Sequence, residues 1–177
     1  MKSVVPVLFL ALASVTVHAE LTDEQKRVPL EADTTDSSLA KIVLLAGPIS
    51  NKPGQHEYFA GCAMLMKCLG QTPGVWPVMA AEGWPKNEAI FDNAKAVLIF
   101  MDGGEKCALL EPSRWARLKS LMDAGAGLIM LHQAVEVPEA QAAEFKSWLG
   151  AVWQKDIGSR GHWDMSFEAI PAHETTR

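Results

Sequence analysis

The stretch Ala126-Gly-Leu-Ile-Met-Leu-His132 limits what this chain can fold into more than any other, because an apolar run of strand length ends there abruptly in a histidine. Such a run reads as a buried parallel strand. A parallel strand delivers the residues after it to the carboxyl edge of its sheet, where open α/β folds collect their ligands. Two earlier runs behave alike: Ile42-Val-Leu-Leu-Ala46 breaks into Gly47-Pro48 and soon reaches His56-Glu57, and Ala96-Val-Leu-Ile-Phe-Met101 breaks into Asp102-Gly103-Gly104. Each is followed by polar or glycine-rich residues and then by a helix pattern, which predicts a site at one sheet edge.

The segments between these runs fill in a doubly wound domain. Tyr58, Phe59, Cys62, Leu65, Met66 and Leu69 recur at helical spacing, with His56-Glu57 opening the helix and Gly70 placed for a left-handed stop. Val75-Trp-Pro-Val-Met79 is a strand whose proline, lacking an amide donor, belongs at a sheet edge. A short helix with Ile90 and Phe91 precedes the third strand. Pro112 fits the first turn of a helix carrying Trp115, Leu118, Leu121 and Met122, and Pro138 opens another with Ala142, Phe145, Trp148 and Leu149 inward. Trp163, Met165, Phe167 and Ala169 then alternate with polar residues, the period of a half-buried strand. With right-handed crossovers the predicted order is 2-1-3-4, a flavodoxin-like, mostly parallel sheet with helices on both faces. That last strand has nothing to cover it, so the domain is expected to be incomplete at its C-terminus.

The flanks and the composition narrow the function. Lys2, the apolar run Val4 to Val17 and the small-residue end Val17-His18-Ala19 predict a signal peptide over residues 1–19, cleaved after Ala19, and hence a periplasmic or secreted protein. The run is shorter than the roughly 20 residues a bilayer span requires, so no membrane association is expected after cleavage. Residues 20–40 read as a polar leader, lying over the domain or disordered. Residues 41–177 form the domain. A net charge of −5 without any Lys/Arg cluster argues against nucleic acid as a partner and against anionic membrane surfaces. Cys62 and Cys68 fall on different faces of one helix, too far apart for a disulfide, and read as small buried hydrophobes; Cys107, in a loop, is left to pair outside the chain or stay free.

Several spaced motifs carry a resemblance. Lys41-Ile-Val-Leu-Leu-Ala-Gly47, His56-Glu57-Tyr58 with Ala60-Gly61-Cys62, Gly83-Trp84-Pro85, Met101-Asp-Gly-Gly104, Leu131-His132 with Ala134-Val-Glu-Val-Pro138, and Gly161-His162-Trp163 together resemble the ThuA-like family, named for trehalose utilisation. That family is similar in fold to class I glutamine amidotransferases. The resemblance implies a role in carbohydrate metabolism, on trehalose, another disaccharide or a keto-glycoside, with a small-molecule carbohydrate as partner. It does not carry the amidotransferase reaction. Those enzymes place a nucleophilic cysteine on the sharp turn after the strand corresponding to Gly127–Leu131, where this chain has His132-Gln133-Ala134.

The candidate site follows from these placements. His132 is the expected proton carrier, with Glu57 or Glu136 orienting it or acting as its partner. Asp102, Gly103 and Gly104 are expected to polarise a substrate oxygen through the carboxylate and open backbone amides, and Trp163 to stack on a sugar ring, as Trp84 could also do. His56, His132 and His162 form a candidate ligand set for a divalent metal such as zinc, although no tight H-E-x-x-H spacing is present. Each has a plainer reading. His132 can simply brace a loop, His56-Glu57 can serve the helix dipole, Asp102-Gly103-Gly104 can be a tight turn, and the tryptophans can be core. The alternative function is a non-catalytic module that binds a glycan or a partner protein. A deep pocket where the histidines meet favours the enzyme, and histidines scattered over a shallow edge favour the module.

Overall fold

A computed structural model of the chain describes residues 22–154, 156–157, 161, 164, 166, 169 and 172–173. The expected signal peptide, His162, Trp163 and most of the alternating strand around Trp163 lie outside the described residues; Asp164, Ser166 and Ala169 of that strand are described and are not in a strand. Four strands, β1 (Ala40–Ala46), β2 (Val75–Ala80), β3 (Ala96–Phe100) and β4 (Gly127–Leu131), pair in parallel in the order β2-β1-β3-β4. This is the flavodoxin-like α/β sheet the apolar runs predict, with Pro77 in an edge strand where its missing amide costs no ladder bond.

Strand alternation sorts the core into two layers. Val43, Leu45, Val78, Val97 and Ile99 face one way, onto Leu118 and Leu121 of helix α2 (Pro112–Asp123). Leu44, Ala46, Met79 and Leu98 face the other way, onto Tyr58, Phe59 and Cys62 of helix α1 (Tyr58–Leu69). Helix α3 (Glu139–Leu149) joins the α2 face, where Phe145 and Ala142 pack with Leu128 and Met130 of β4. No helix among the described residues is long and apolar enough to cross a membrane.

Some local expectations are corrected. β4 is not buried on both faces: Ile129 is 44% exposed, because α1 covers β1 and β2 and leaves that side of β4 open. Gly70 ends α1 with φ −64, and the left-handed residue before β2 is Gly74 at φ +80. Cys68 is exposed rather than buried, whereas Cys107 is buried in the α2-side core; all three cysteines are free. Trp84 is core as well, with its indole N–H donating to Glu88 Oε1 at 2.8 Å and its ring against Phe91.

The polar leader lies over the β2 edge and is stitched to it. The Glu31 amide donates to the Met79 carbonyl at 2.8 Å, the Glu31 carboxylate accepts the amides of Lys86 and Asn87, and Trp76 Nε1 donates to the Ala32 carbonyl. Asp33 Oδ2 lies 2.8 Å from Nζ of Lys41, which is only 7% exposed. An ammonium held that deep needs its counter-charge, so Asp33→Ala should destabilise the protein by about 2 kcal/mol in urea unfolding. Lys41→Met combined with Asp33→Ala should recover most of that loss.

Candidate functional site

The sheet order reverses between β1 and β3, and the chain leaves both strands at the edge where such folds bind ligands. Three close approaches bring the loops together there. A Cβ on Gly47 would fall 2.4 Å from that of Met101, one on Gly61 would meet the Phe100 ring at 2.5 Å, and one on Gly103 would fall 2.1 Å from the Gln133 carbonyl oxygen. Only glycine lets the backbone after β1, the helix α1 and the backbone after β3 sit this close to their neighbours.

Into this junction four segments send polar groups. His56 ends the loop after β1 and Tyr58 begins α1. Asp102 follows β3, and His132-Gln133 open the 3-10 turn His132–Val135 directly after β4. Tyr58 Oη donates to Asp102 Oδ1 at 2.5 Å and lies 3.1 Å from Gln133 Oε1. Gln133 Oε1 has no proton to give, so the 2.7 Å contact with His56 Nδ1 is made with the imidazole donating. That fixes the His56 tautomer and leaves the lone pair on Nε2. The ring of His132 stacks on that of His56, with centroids 4.7 Å apart and planes tilted by 37°.

Both histidines hold left-handed backbone, His56 at φ +52 and His132 at φ +55. Such a conformation costs a non-glycine residue of order 1 kcal/mol or more and persists only where surrounding contacts enforce it. Two strained residues from different loops, meeting ring to ring, mark this as the point for which the loops are shaped.

Tyr58 is a permanent donor here. Burial pushes its phenol up to about 12, and the hydrogen bond to the Asp102 carboxylate, together with the negative charges of Asp102 and Glu136, pushes the same way against a smaller opposing effect from Ser50. The sign follows: a group whose folded value is raised contributes stability that is complete below its ordinary value near 10 and is lost as pH climbs toward 12. The chain contains a single tyrosine, so phenolate absorbance in an alkaline titration reports this residue alone. The expected midpoint is about 12 in the folded protein, and the signal should vanish in Tyr58→Phe.

The predicted site residues divide. His56, Asp102 and His132 converge as expected. Glu57 does not join them: it is exposed, and its carboxylate accepts the Gly54 amide at 2.7 Å, tying down the loop after β1. Gly103 serves packing against the Gln133 and Glu136 backbone, and Gly104 a left-handed turn at φ +70, its amide, expected to be open, donating to the Glu136 carbonyl at 2.7 Å. Glu136 is half-buried and helps to line an adjoining cavity of about 580 Å³ with Glu105, Glu139, Trp153 and Asp156. Among the described residues no group of three His, Cys, Asp or Glu side chains is placed to hold a metal ion, and the third expected ligand, His162, is not among them. Cys62 and Cys107 offer no thiolate, since burial raises both, Cys62 to about 12.

Sequence reasoning missed Tyr58 and Gln133. Tyr58 falls in register with the apolar face of α1, and Gln133 carried no signal beyond its place next to His132. Fold and site together define a doubly wound α/β protein with a histidine elbow at its topological switch point. Set against known protein families, curated proteins and solved structures, the chain matches none of them.

Proposed function

We propose that this is an exported, periplasmic or secreted protein that performs acid/base chemistry on a sugar or keto-sugar, such as a disaccharide or its keto derivative. The observation that carries the acid/base part is the His56–His132 pair, two strained imidazoles in contact, one of them with its tautomer fixed by Gln133. In this reading His132, exposed at the rim, takes a proton from the substrate and returns it at a neighbouring atom. His56 Nε2 accepts a hydrogen bond from the substrate or from the protonated His132. Tyr58 and Asp102 hold His56 and Gln133 in place as a fixed polar base. The carbohydrate part is supported by the motif resemblance and by the adjoining cavity, where one indole and several carboxylates offer a stacking face and hydroxyl acceptors. In place of that proton transfer, a divalent ion such as zinc, held by His56, His132 and His162, would occupy the imidazole lone pairs and supply Lewis-acid polarisation of a substrate oxygen; elemental analysis of the purified protein distinguishes the two.

The test is a screen of disaccharides and their 3-keto derivatives for turnover by the purified protein, repeated with His132→Ala and His56→Ala. Turnover of at least one substrate that falls with both substitutions supports the reading. Saturable binding of a glycan with no turnover by any sample supports the alternative, a glycan-binding module built on the same rim.

A further inference from the structure

At the opposite end of the sheet from the histidines lies a groove of about 700 Å³ between the leader and the C-terminal half of α1. Its floor is the start of β2, Val75 to Pro77, one wall is Ala63 and Met66 of α1 with Gly70 just past its end, and the other is Val28 and Pro29 of the leader. Small residues at 63 and 70 leave the space open. The leader wall is preformed, being pinned by the Glu31 and Ala32 hydrogen bonds to Met79 and Trp76, so the groove does not depend on a ligand to assemble it. Its lining is apolar apart from the rim, where Arg27 and Lys67 stand with Glu24. Neither cation makes an ion pair among the described residues. In a chain of net charge −5, an apolar slot rimmed by two cations that pair with no described carboxylate, against one carboxylate, selects an occupant with an apolar body and a negative head.

We propose that this groove binds a medium-chain amphiphile with an anionic head, in the simplest case a fatty carboxylate. The volume falls within the range of small-molecule sites, and Met66 supplies the adaptable surface that unbranched chains favour. The alkyl chain lies along Val75 and Pro77 with its carboxylate between Arg27 and Lys67. Binding here is separate from the sugar chemistry, because none of these residues belongs to the histidine cluster.

Calorimetric titration of the full chain with hexanoate, octanoate, decanoate and dodecanoate, each below its micelle concentration, tests the proposal. Full burial tightens binding about fourfold per methylene, so a half-open groove should give about twofold per methylene. Dodecyltrimethylammonium should bind at least about tenfold more weakly than dodecanoate, and Arg27→Gln with Lys67→Gln should erase that preference. Both positions are exposed, so this variant stays folded. Ala63→Phe should block the carboxylates. One-to-one stoichiometry, a chain-length slope and a head-group preference that disappears in the double variant establish the site. The proposal is overturned if no carboxylate binds saturably either to the full chain or to a form lacking residues 1–19, or if cationic and anionic heads bind alike.

Discussion

Gly103→Ala should lower stability by about 3 kcal/mol, a fall of about 10 °C in melting temperature for a domain of this size, and abolish any turnover with it. The reason is space, not backbone freedom. Gly103 has φ −99, which any residue adopts, but an added methyl would sit 2.1 Å from the Gln133 carbonyl oxygen and 2.5 Å from that of Glu136. Both neighbours are backbone of the turn that carries His132 and Gln133, so no side-chain rotation relieves the clash. The turn must move away from β3, which separates Gln133 Oε1 from His56 and Tyr58. Gly104 provides the contrast within one residue. It has φ +70 and nothing within 4 Å of an added Cβ, so Gly104→Ala meets only the left-handed penalty of about 1 kcal/mol. Thermal melts of the two variants side by side check the argument. Equal shifts would mean that the turn after β4 is not seated on Gly103, and the account of how the site is assembled would have to be given up.

The same contrast explains what the sequence reveals and what it hides. The apolar runs of β1, β3 and β4 and the helical spacing of α1, α2 and α3 are local signals with a fixed period, and Pro77 carries its own reason for an edge. Strand order, and with it the convergence of His56, Asp102 and His132, follows once those runs are read as parallel strands. Burial of a run is another matter. Gly127 to Leu131 is as apolar as the other runs, yet Ile129 is exposed because coverage depends on which strands α1 spans, a property of the partner and not of the strand.

Side-chain direction hides in the same way. Glu57 and His56 are adjacent in sequence, but the left-handed turn at His56 sends the imidazole toward Gln133 while the carboxylate binds back to Gly54. Tyr58 occupies an apolar helical position, and only the tertiary structure shows that the far end of its ring meets Asp102. A buried tyrosine needs a partner for its hydroxyl, which is the one signal that could have directed attention from Tyr58 to the polar residues after β3 and β4.

His132→Ala should reduce turnover of a responsive sugar by a factor of about 10² to 10⁴, the range for removing a proton-transferring side chain, with kcat taking most of the loss. Its melting temperature should scarcely move, because the imidazole is exposed and alanine inherits the same φ of +55. His132→Gly separates function from strain more sharply. Glycine relieves the left-handed penalty, so this variant should be more stable than the parent by about 1 kcal/mol while losing as much activity as the alanine form. A site that gains stability when its functional residue is removed has been held in tension for a purpose other than folding. Were the rim only a binding surface, neither variant would change a rate, since the parent would show none, and both would weaken glycan retention alone. If His132→Gly proved less stable than the parent, the imidazole would be bracing the elbow, and the proton-transfer role assigned to it would lose its physical basis.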